Sequence, residues 1–224
     1  YKRQGMNDAG VSCGVYMTYQ GPEGEVTATN QDTDKPDMTT TTFLRLVLDY
    51  ADDLDEAVEI AQSYDMHDSA GTSYHYMVAD ASGRSAIFEW VAADDDTDTD
   101  GSARELRVTY NDDDAAFGEV EAAADYQWVT NFVLEPNYYA SDDAKKGLDR
   151  YNELYTRLSA TDGIVADESA AMDVLAAVGR RSWNNDDANT ITVHSVVYNL
   201  TDRVMYWVPN ENFDDASAWI TYKL

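Results

Sequence analysis

Cysteine, basic residues and long apolar runs are scarce or missing in this chain of 224 residues. Cys13 is the only cysteine, so the chain can form no internal disulfide and no zinc site built on cysteines. No stretch reaches the run of about 18 apolar residues that a membrane-spanning helix needs. Lysine and arginine number 15 against 43 aspartate and glutamate, which gives a net charge of −28. This charge argues against nucleic acid and anionic membranes as partners, because both attract basic surfaces.

Aromatic residues are plentiful by contrast and make up 12% of the chain. This content argues against disorder, and the length is sufficient for one large domain or two small ones. No internal repeat is visible, and no linker rich in glycine, proline or serine divides the chain. We therefore predict a single domain over residues 1–224. The acidic composition indicates a solubilising surface or adaptation to salt.

Hydrophobic periodicity and capping residues predict the order of helices and strands. A threonine run at 39–42 can cap a helix, and Asp53 with Glu56 has the pattern of a capping box. The expected elements are a strand at 11–20, two helices within 39–51 and 53–64, a hairpin with strands near 74–79 and 85–91, a strand at 105–110, a strand ending at Asn131, helices near 144–158 and 168–178, and three closing strands. This order predicts an α+β fold in which helices cover sheets.

An amide interrupts the apolar and aromatic run YQWVTNFVLEP at residues 126–136. The neighbours with the composition of a buried strand are Trp128, Val129, Phe132 and Val133. An unpaired buried amide would cost about 1–3 kcal/mol. Asn131 is therefore expected either to cap a backbone turn or to face something other than protein.

Metal binding has weak support in the sequence. The segment DTDTDG at 96–101 copies the first half of a calcium loop, but Arg107 stands where the bidentate acid should be. A strand is also expected there instead of a helix, which favours a solvated turn. His67, His75 and His194 are scattered without metal-binding spacing, and hydrogen-bonded structural roles are expected for the two in strands. We predict no metal and no cofactor.

Nucleophilic catalysis also lacks a local motif. The sequence matches G-x-S-x-G once, as GVSCG at residues 10–14, but this match opens the predicted strand at 11–20 and does not lie between a strand and a helix, as a nucleophile elbow does. Cys13 lies in an apolar strand without a neighbouring histidine or lysine, which indicates an inert buried thiol. Arg150 lies one residue off the apolar face of its helix, where an ordinary surface arginine is the simplest interpretation.

Five segments nevertheless occur together in a distinctive order. They are GMNDAGVSCGVYMTY, the helix pair and hairpin running from TTTTFLRLV to IFEW, VTNF, LDRYNEL, and TVHSVVYNLTDRVMYW. In this order they resemble the linear amide C–N hydrolases, the family of choloylglycine hydrolase, penicillin V acylase and the acyl-transferring enzymes of penicillin biosynthesis. Each motif is weak alone, but together they cover most of the chain.

The resemblance implies an N-terminal-nucleophile hydrolase with a four-layer αββα sandwich. In this family an N-terminal cysteine attacks the amide carbonyl, and its α-amine, with a pKa of about 8, acts as the base. That cysteine and the first strands would lie upstream of Tyr1, whose phenol is a poor nucleophile at neutral pH. The chain also begins without methionine or a signal-peptide core. We therefore expect an upstream segment to be missing and the chain alone to be inactive.

The resemblance also implies roles for three residues. Asn131 matches the asparagine whose side-chain N–H binds the oxyanion, and counting from Asn7 places the second donor at the backbone N–H of Met17. Relatives carry asparagine or tyrosine at that position, so any contact of their side chain with substrate is lost here. Arg150 matches an arginine that orders the nucleophile site, although Gly147 stands where relatives have serine.

The expected substrate is a small N-acyl amide of the bile-salt or penicillin V type. Tyr16 and Tyr19 near the end of the first strand, and Tyr138 and Tyr139 in the loop after Pro136, are candidates to contact it. Plain packing is the alternative for the second pair. Hydrolysis is favoured over acyl transfer, because the sequence shows no pocket for an acceptor amine.

A different class of function stays open beside the enzyme. The chain could be a non-catalytic acidic module that kept the sandwich, lost the nucleophile and binds calcium through residues 96–101. The resemblance also allows copies of the chain to associate. Low cysteine usage fits the cytoplasm and secretion equally, so the location is undetermined.

Overall fold

The computed structural model describes residues 4–20, 26–92, 100–112, 116–117, 120–121, 126–135, 138–140, 142–181 and 191–224, with only the backbone described at 116–117 and 120–121. The chain packs as two compact units, residues 1–148 and residues 149–224. Both units contain helices and antiparallel sheet, so the predicted α+β class is confirmed. The prediction of a single domain stays a prediction.

The first unit is built on a five-stranded sheet. Its strands are β1 (Gln4–Met6), β2 (Ser12–Thr18), β3 (Asp37–Thr39), β4 (Asp65–His67), β5 (Ser73–Ala79), β6 (Ser85–Ala92), β7 (Arg104–Tyr110), β8 (Ala116–Phe117) and β9 (Val120–Glu121). The main sheet has the order β1-β2-β5-β6-β7 and is antiparallel throughout. The strands β3 and β4 form a small parallel pair, and β8 and β9 form an antiparallel pair. The predicted hairpin is confirmed as β5 and β6.

Two capped helices follow β3, as the sequence predicted. They are α1 (Thr40–Tyr50) and α2 (Leu54–Gln62). The Thr39 hydroxyl accepts the Thr42 N–H at 3.4 Å, and the Asp53 carboxylate accepts the Glu56 N–H at 2.9 Å. The Glu56 carboxylate accepts the N–H of Asp52, the residue before the cap, at 2.8 Å. These bonds satisfy N–H groups that have no partner within a helix.

The helices pack on one face of the main sheet. Phe43 of α1 is fully buried, and its ring centre lies 4.9 Å from Tyr76, 5.8 Å from Phe88 and 5.9 Å from Trp90. Edge-to-face arrangements such as Phe43 with Tyr76 add to the stabilisation from apolar burial. Cys13 belongs to the same core. This aromatic cluster holds the helices on the sheet.

The GMN segment joins the first two strands to α1. The Asn7 amide donates to the Ala51 carbonyl at the end of α1 at 2.7 Å, and its oxygen accepts the Val11 N–H at 2.8 Å. Gly5 faces Leu48 so closely that an added Cβ would lie 2.5 Å from Leu48 Cδ1. A side chain at residue 5 would therefore displace the end of the Leu48 side chain, and the asparagine fixes the turn between the strands.

The opposite face of the sheet carries a polar row. The register aligns Tyr16, His75, Glu89 and Arg107 side by side on β2, β5, β6 and β7. Aligned residues of neighbouring antiparallel strands share a face. The segment 126–135 is bound to this row through His75 and Glu89.

The second unit contains two helices and a three-stranded sheet. Its elements are α3 (Leu148–Ser159, which begins at the last residue of the first unit), α4 (Glu168–Ala177), β10 (His194–Asn199), β11 (Val204–Pro209) and β12 (Ile220–Lys223). The three strands follow one another in an antiparallel meander, and α4 contacts β10. The predicted closing strands and the helix near 168–178 are confirmed. The helix predicted from residue 144 begins at Leu148 instead, because Gly147 takes a left-handed backbone with φ of 80°.

No helix in the described part of the chain is long and apolar enough to cross a bilayer.

Candidate functional site

Asn131 lies in a bend and not at the end of a strand. Residues 126–130 have no regular secondary structure, and Phe132 makes a single parallel bridge with Tyr19. The strand predicted for this run is therefore wrong. Trp128, Phe132 and Val133 are buried as their composition required, whereas Val129 is half-buried. The backbone of the segment is bound by His75 and Glu89 of the main sheet and does not form one of its strands.

The half-buried Asn131 is fixed to the end of β2 by two hydrogen bonds. Its side-chain nitrogen donates to the Met17 carbonyl at 2.8 Å, and its backbone carbonyl accepts the Tyr19 N–H at 2.8 Å. The first bond orients the amide, because a carbonyl accepts only from the nitrogen end. The family resemblance implied that Asn131 and Met17 belong to one site, and the structure places them in direct contact.

The backbone of Met17 is directed to this same edge. In an antiparallel strand the N–H and C=O of one residue point to the same side. Because the Met17 carbonyl accepts from Asn131, the Met17 N–H also faces the edge of β2 opposite β5. This edge of β2 is shared with β1, which pairs with residues 12–14.

A buried histidine and glutamate hold the backbone on both sides of Asn131. His75 is fully buried, its Nδ1 lies 3.0 Å from Glu89 Oε1, and its Nε2 lies 3.1 Å from the Thr130 carbonyl. Glu89, 3% exposed, accepts the N–H groups of Leu134 at 2.9 and 3.0 Å and of Glu135 at 3.1 Å. The expectation that His75 is hydrogen-bonded within a strand is confirmed.

Sequence reasoning did not single out Glu89. One signal was present, since Glu89 is the only charged residue in the apolar strand SAIFEWVA. A carboxylate in a strand buried on both faces requires hydrogen-bond donors. Its donors come from a segment that is 45 residues away along the chain.

The four candidate tyrosines are distributed around β2 and the bend. The Tyr139 hydroxyl accepts the Val133 N–H at 3.0 Å and donates to the Tyr19 carbonyl at 2.6 Å, so it supports the backbone. The ring of Tyr138 packs against that of Tyr139 at 5.0 Å. Tyr16 lies edge-on to His75 at 6.1 Å, and burial raises its pKa to about 12, with Cys13 adding to the effect. A role of these side chains in substrate binding stays a prediction.

Two lysines lie over tyrosine rings of this group. The Nζ atom of Lys145 is 5.4 Å from the ring centre of Tyr139, and that of Lys146 is 5.6 Å from the ring centre of Tyr19. Such cation–π contacts contribute modestly at exposed positions. They add positive charge beside the bend in a strongly acidic protein.

Arg150 lies on α3 in the second unit and is half-buried. Burial lowers the pKa of its guanidinium, Asp149 acts in the opposite direction, and Arg180 lowers it further. The prediction that Arg150 orders a nucleophile stays a prediction.

Cys13 is buried in the helix-facing core, as predicted. Burial raises the pKa of its thiol far above the usual value. A thiol that keeps its proton is a poor nucleophile, since the thiolate is the reactive form. Cys13 is therefore unsuited to attack a substrate.

The raised pKa values of the Cys13 thiol and the Tyr16 phenol predict that the folded protein loses stability at alkaline pH. Unfolding lets the Cys13 thiol ionise above about pH 8.5 and the Tyr16 phenol above about pH 10, whereas the folded protein retains both protons. The free energy of unfolding is expected to be independent of these groups below those values. Above them it should fall by up to about 1.4 kcal/mol per pH unit for each group.

Urea denaturation at a series of pH values measures this loss of stability. The Cys13→Ala variant is the control, and it should move the onset of the fall from about pH 8.5 to about pH 10. An onset that is the same in both proteins would contradict the assignment to the thiol.

No cluster of metal-ligating side chains is found among the described residues. Residues 96–99 of the predicted calcium-like turn lie outside them. At its described end, Asp100 accepts the Ser102 N–H at 3.1 Å and the Ser102 hydroxyl at 2.6 Å, which lowers the pKa of its carboxyl. The solvated turn stays a prediction, and calcium binding stays its alternative.

Comparisons with solved structures show what this fold is similar to. Penicillin V acylase from Agrobacterium tumefaciens matches with a TM-score of 0.56 and 18% identity over 93% of this chain and 62% of its own. Two variants of the conjugated bile acid hydrolase from Clostridium perfringens match with TM-scores of 0.57 and 0.58, each at 15% identity over 99% of this chain and 77% of theirs. At these identities the likeness concerns the fold, and the chain spans less than two thirds of the length of the acylase.

Comparisons of sequence give a more specific result. No curated protein matches the chain. A family model described as acyl-coenzyme A:6-aminopenicillanic acid acyl-transferase matches residues 2–213, nearly the whole sequence. The family expected from the order of the motifs is thereby confirmed. This chain belongs to the acyl-coenzyme A:6-aminopenicillanic acid acyl-transferase family.

Proposed function

We propose that this chain is the larger part of an N-terminal-nucleophile enzyme that cleaves linear amide C–N bonds, with the four-layer αββα sandwich of that class. Family membership supports the class of reaction. The observation that carries the site is the hydrogen bond from the Asn131 amide nitrogen to the Met17 carbonyl. It joins the two residues expected to stabilise an oxyanion.

Asn131 supplies the side-chain donor of this oxyanion site, and the Met17 N–H supplies the backbone donor. Both groups lie at the same edge of β2, where the Asn131 amide is oriented before any substrate binds. A preorganised donor stabilises negative charge that develops on the carbonyl oxygen in the transition state. One such donor contributes about 3–4 kcal/mol to lowering the barrier.

The nucleophile is an N-terminal cysteine carried by a segment that precedes Tyr1. Its α-amine accepts the thiol proton, and the thiolate attacks the amide carbonyl. The C–N bond then breaks, the amine leaves with a proton, and water hydrolyses the thioester to a free acid and the thiol. Burial of Cys13 supports this assignment, because the one cysteine of the chain cannot take the role.

The remaining candidates have supporting roles in this proposal. Arg150 orders the nucleophile, and Tyr16, Tyr19 and Tyr138 border the acyl group of a small N-acyl amide. Tyr139 contributes by fixing the backbone at Tyr19 and Val133.

Acyl transfer is the second candidate function. The matching family model is described as an acyl-transferase, whereas the similar solved structures are a penicillin V acylase and a conjugated bile acid hydrolase. Both reactions pass through the same acyl-enzyme and differ in whether water or an amine releases the acyl group.

The test is to produce the protein together with the residues encoded before Tyr1 and to assay it on N-acyl 4-nitroanilides. We expect turnover once a cysteine is exposed at the processed N-terminus, no turnover by the 224-residue chain, and an unchanged kcat after Cys13→Ala. Product ratios with added 6-aminopenicillanic acid separate hydrolysis from transfer. Turnover by the 224-residue chain, or its loss after Cys13→Ala in a folded protein, would overturn the proposal.

A further inference from the structure

We propose that His75 and Glu89 are positioning residues for the Asn131 donor. This inference rests on the proposed function, since it concerns the same oxyanion site. Both side chains bind the backbone that carries Asn131. They determine where the amide nitrogen stands relative to Met17.

His75 and Glu89 bind backbone groups on both sides of Asn131 in the sequence. His75 binds the carbonyl of Thr130, the residue immediately before it. Glu89 binds the N–H groups of Leu134 and Glu135, three and four residues after it. The bend at Asn131 is therefore fixed at both ends to one pair of side chains.

The protonation of the pair follows from its partners. The Thr130 carbonyl only accepts, so His75 Nε2 carries a proton and donates it. Between Nδ1 and Glu89 Oε1 there is one further proton, carried by the imidazole if the carboxyl is ionised and by the carboxyl if it is not. In both arrangements the pair has no net charge, which makes its burial tolerable.

The location of the pair supports a role in positioning. The aromatic core of the first unit lies on the helix-facing side of the sheet, whereas His75 and Glu89 point from the opposite face to the bend. Thr130 is also held by a second hydrogen bond, which its hydroxyl donates to the Gly147 carbonyl at 3.1 Å. The hydrogen bonds at Thr130, Leu134 and Glu135 fix the backbone of the bend and so hold the Asn131 amide in one orientation.

Two readouts separate positioning from simple stabilisation. A misplaced oxyanion donor lowers kcat and leaves KM nearly unchanged, because its interaction forms mainly in the transition state. A pair that only stabilises the fold would lower melting temperature without changing kcat of the folded enzyme. A displacement of about 1 Å at a reacting group can reduce the rate by about a hundredfold.

The histidine variants test the contact with Thr130. In His75→Gln the side-chain amide nitrogen can occupy the place of Nε2 and still donate to Thr130, whereas in His75→Asn it replaces Nδ1 and loses that bond. On N-acyl 4-nitroanilides we expect kcat to fall about tenfold to a hundredfold in His75→Asn, with KM nearly constant, and to recover partly in His75→Gln. Equal kcat in the two variants and the parent would overturn the inference.

The glutamate variant tests the other end of the bend, with a control of equal burial. Glu89→Gln keeps the volume but replaces one acceptor by a donor. An amide nitrogen in the place of Oε1 faces the N–H of Leu134, and one in the place of Oε2 faces the N–H groups of Leu134 and Glu135. Asp65→Asn is the control, because Asp65 is 1% exposed and binds Thr33, not the bend. We expect faster amide hydrogen exchange in residues 126–135 and a lower kcat only for Glu89→Gln. A similar fall of kcat in both variants would overturn the inference.

The exchange experiment needs no activity and can be done on the 224-residue chain. It therefore distinguishes two failures. Absence of turnover in the parent enzyme, with exchange changed in Glu89→Gln, would overturn the proposed function and the catalytic role while confirming that the pair holds the bend. Turnover in the parent, with exchange and kcat unchanged in Glu89→Gln, would overturn the positioning role alone.

Discussion

The Asn131→Ala variant of the complete enzyme is expected to cleave N-acyl amides with a kcat about 10²–10³-fold below that of the parent. The substitution removes the side-chain donor at the end of β2, where the backbone N–H of Met17 remains. In the proposed mechanism, the oxyanion of the tetrahedral intermediate then keeps one donor and loses the other. KM should change little, because the donor interacts more strongly with the transition state than with the ground-state carbonyl. Steady-state kinetics on 4-nitroanilides measure both constants.

Gln127→Ala is the matched control for this experiment. Gln127 carries an amide in the same segment, accepts the Ser85 hydroxyl at 2.8 Å and donates to the Thr109 carbonyl at 2.9 Å. It has a comparable structural role, but these two hydrogen bonds join it to Ser85 and Thr109 and not to Met17. Equal losses of kcat in Gln127→Ala and Asn131→Ala would show that disruption of the segment, and not loss of an oxyanion donor, explains the effect. Asn131→Asp keeps the shape without the N–H, and full activity in that variant would contradict the assignment.

The Phe43→Ala variant is expected to lose about 3–5 kcal/mol of unfolding free energy. Phe43 is fully buried between α1 and the sheet, where its ring contacts those of Tyr76, Phe88 and Trp90. Truncation to alanine removes apolar burial and leaves a cavity among rigid rings that cannot close it fully. The loss should appear as a lower urea midpoint, read by circular dichroism.

Tyr50→Ala on the same helix is the control for this prediction. Tyr50 is 73% exposed, so its truncation should change the free energy of unfolding by less than about 0.5 kcal/mol. Comparable destabilisation by the two substitutions would show that the aromatic cluster does not hold the helix on the sheet.

Local chemistry made much of the fold predictable. The caps at Thr39 and Asp53 involve donors only three residues away, so the sequence pattern contains both partners. The hairpin of β5 and β6 is likewise joined by a short turn, in which Asp80 accepts the N–H of Ser82 at 2.8 Å. Elements whose partners are close in sequence are decided by propensity and capping.

The segment around Asn131 shows where such reasoning fails. Its apolar residues correctly predicted the burial of Trp128, Phe132 and Val133 but wrongly predicted a strand, since burial outside a sheet and pairing within a sheet favour the same residue types. The late start of α3 has a different cause. Gly147 adopts a backbone conformation that interrupts the helix, and the apolar periodicity around it carries no information on that angle.

The sequence by itself determined the α+β class, the capped helices, the hairpin of β5 and β6 and, through the order of its motifs, the family. Tertiary structure alone decided that Asn131 meets Met17 across 114 residues and that Glu89 receives N–H groups from 45 and 46 residues away. The physical reason is the separation along the chain over which each kind of interaction acts. Propensity and capping act within a few residues, whereas a buried carboxylate or amide takes whichever donors the folded sheet brings to it.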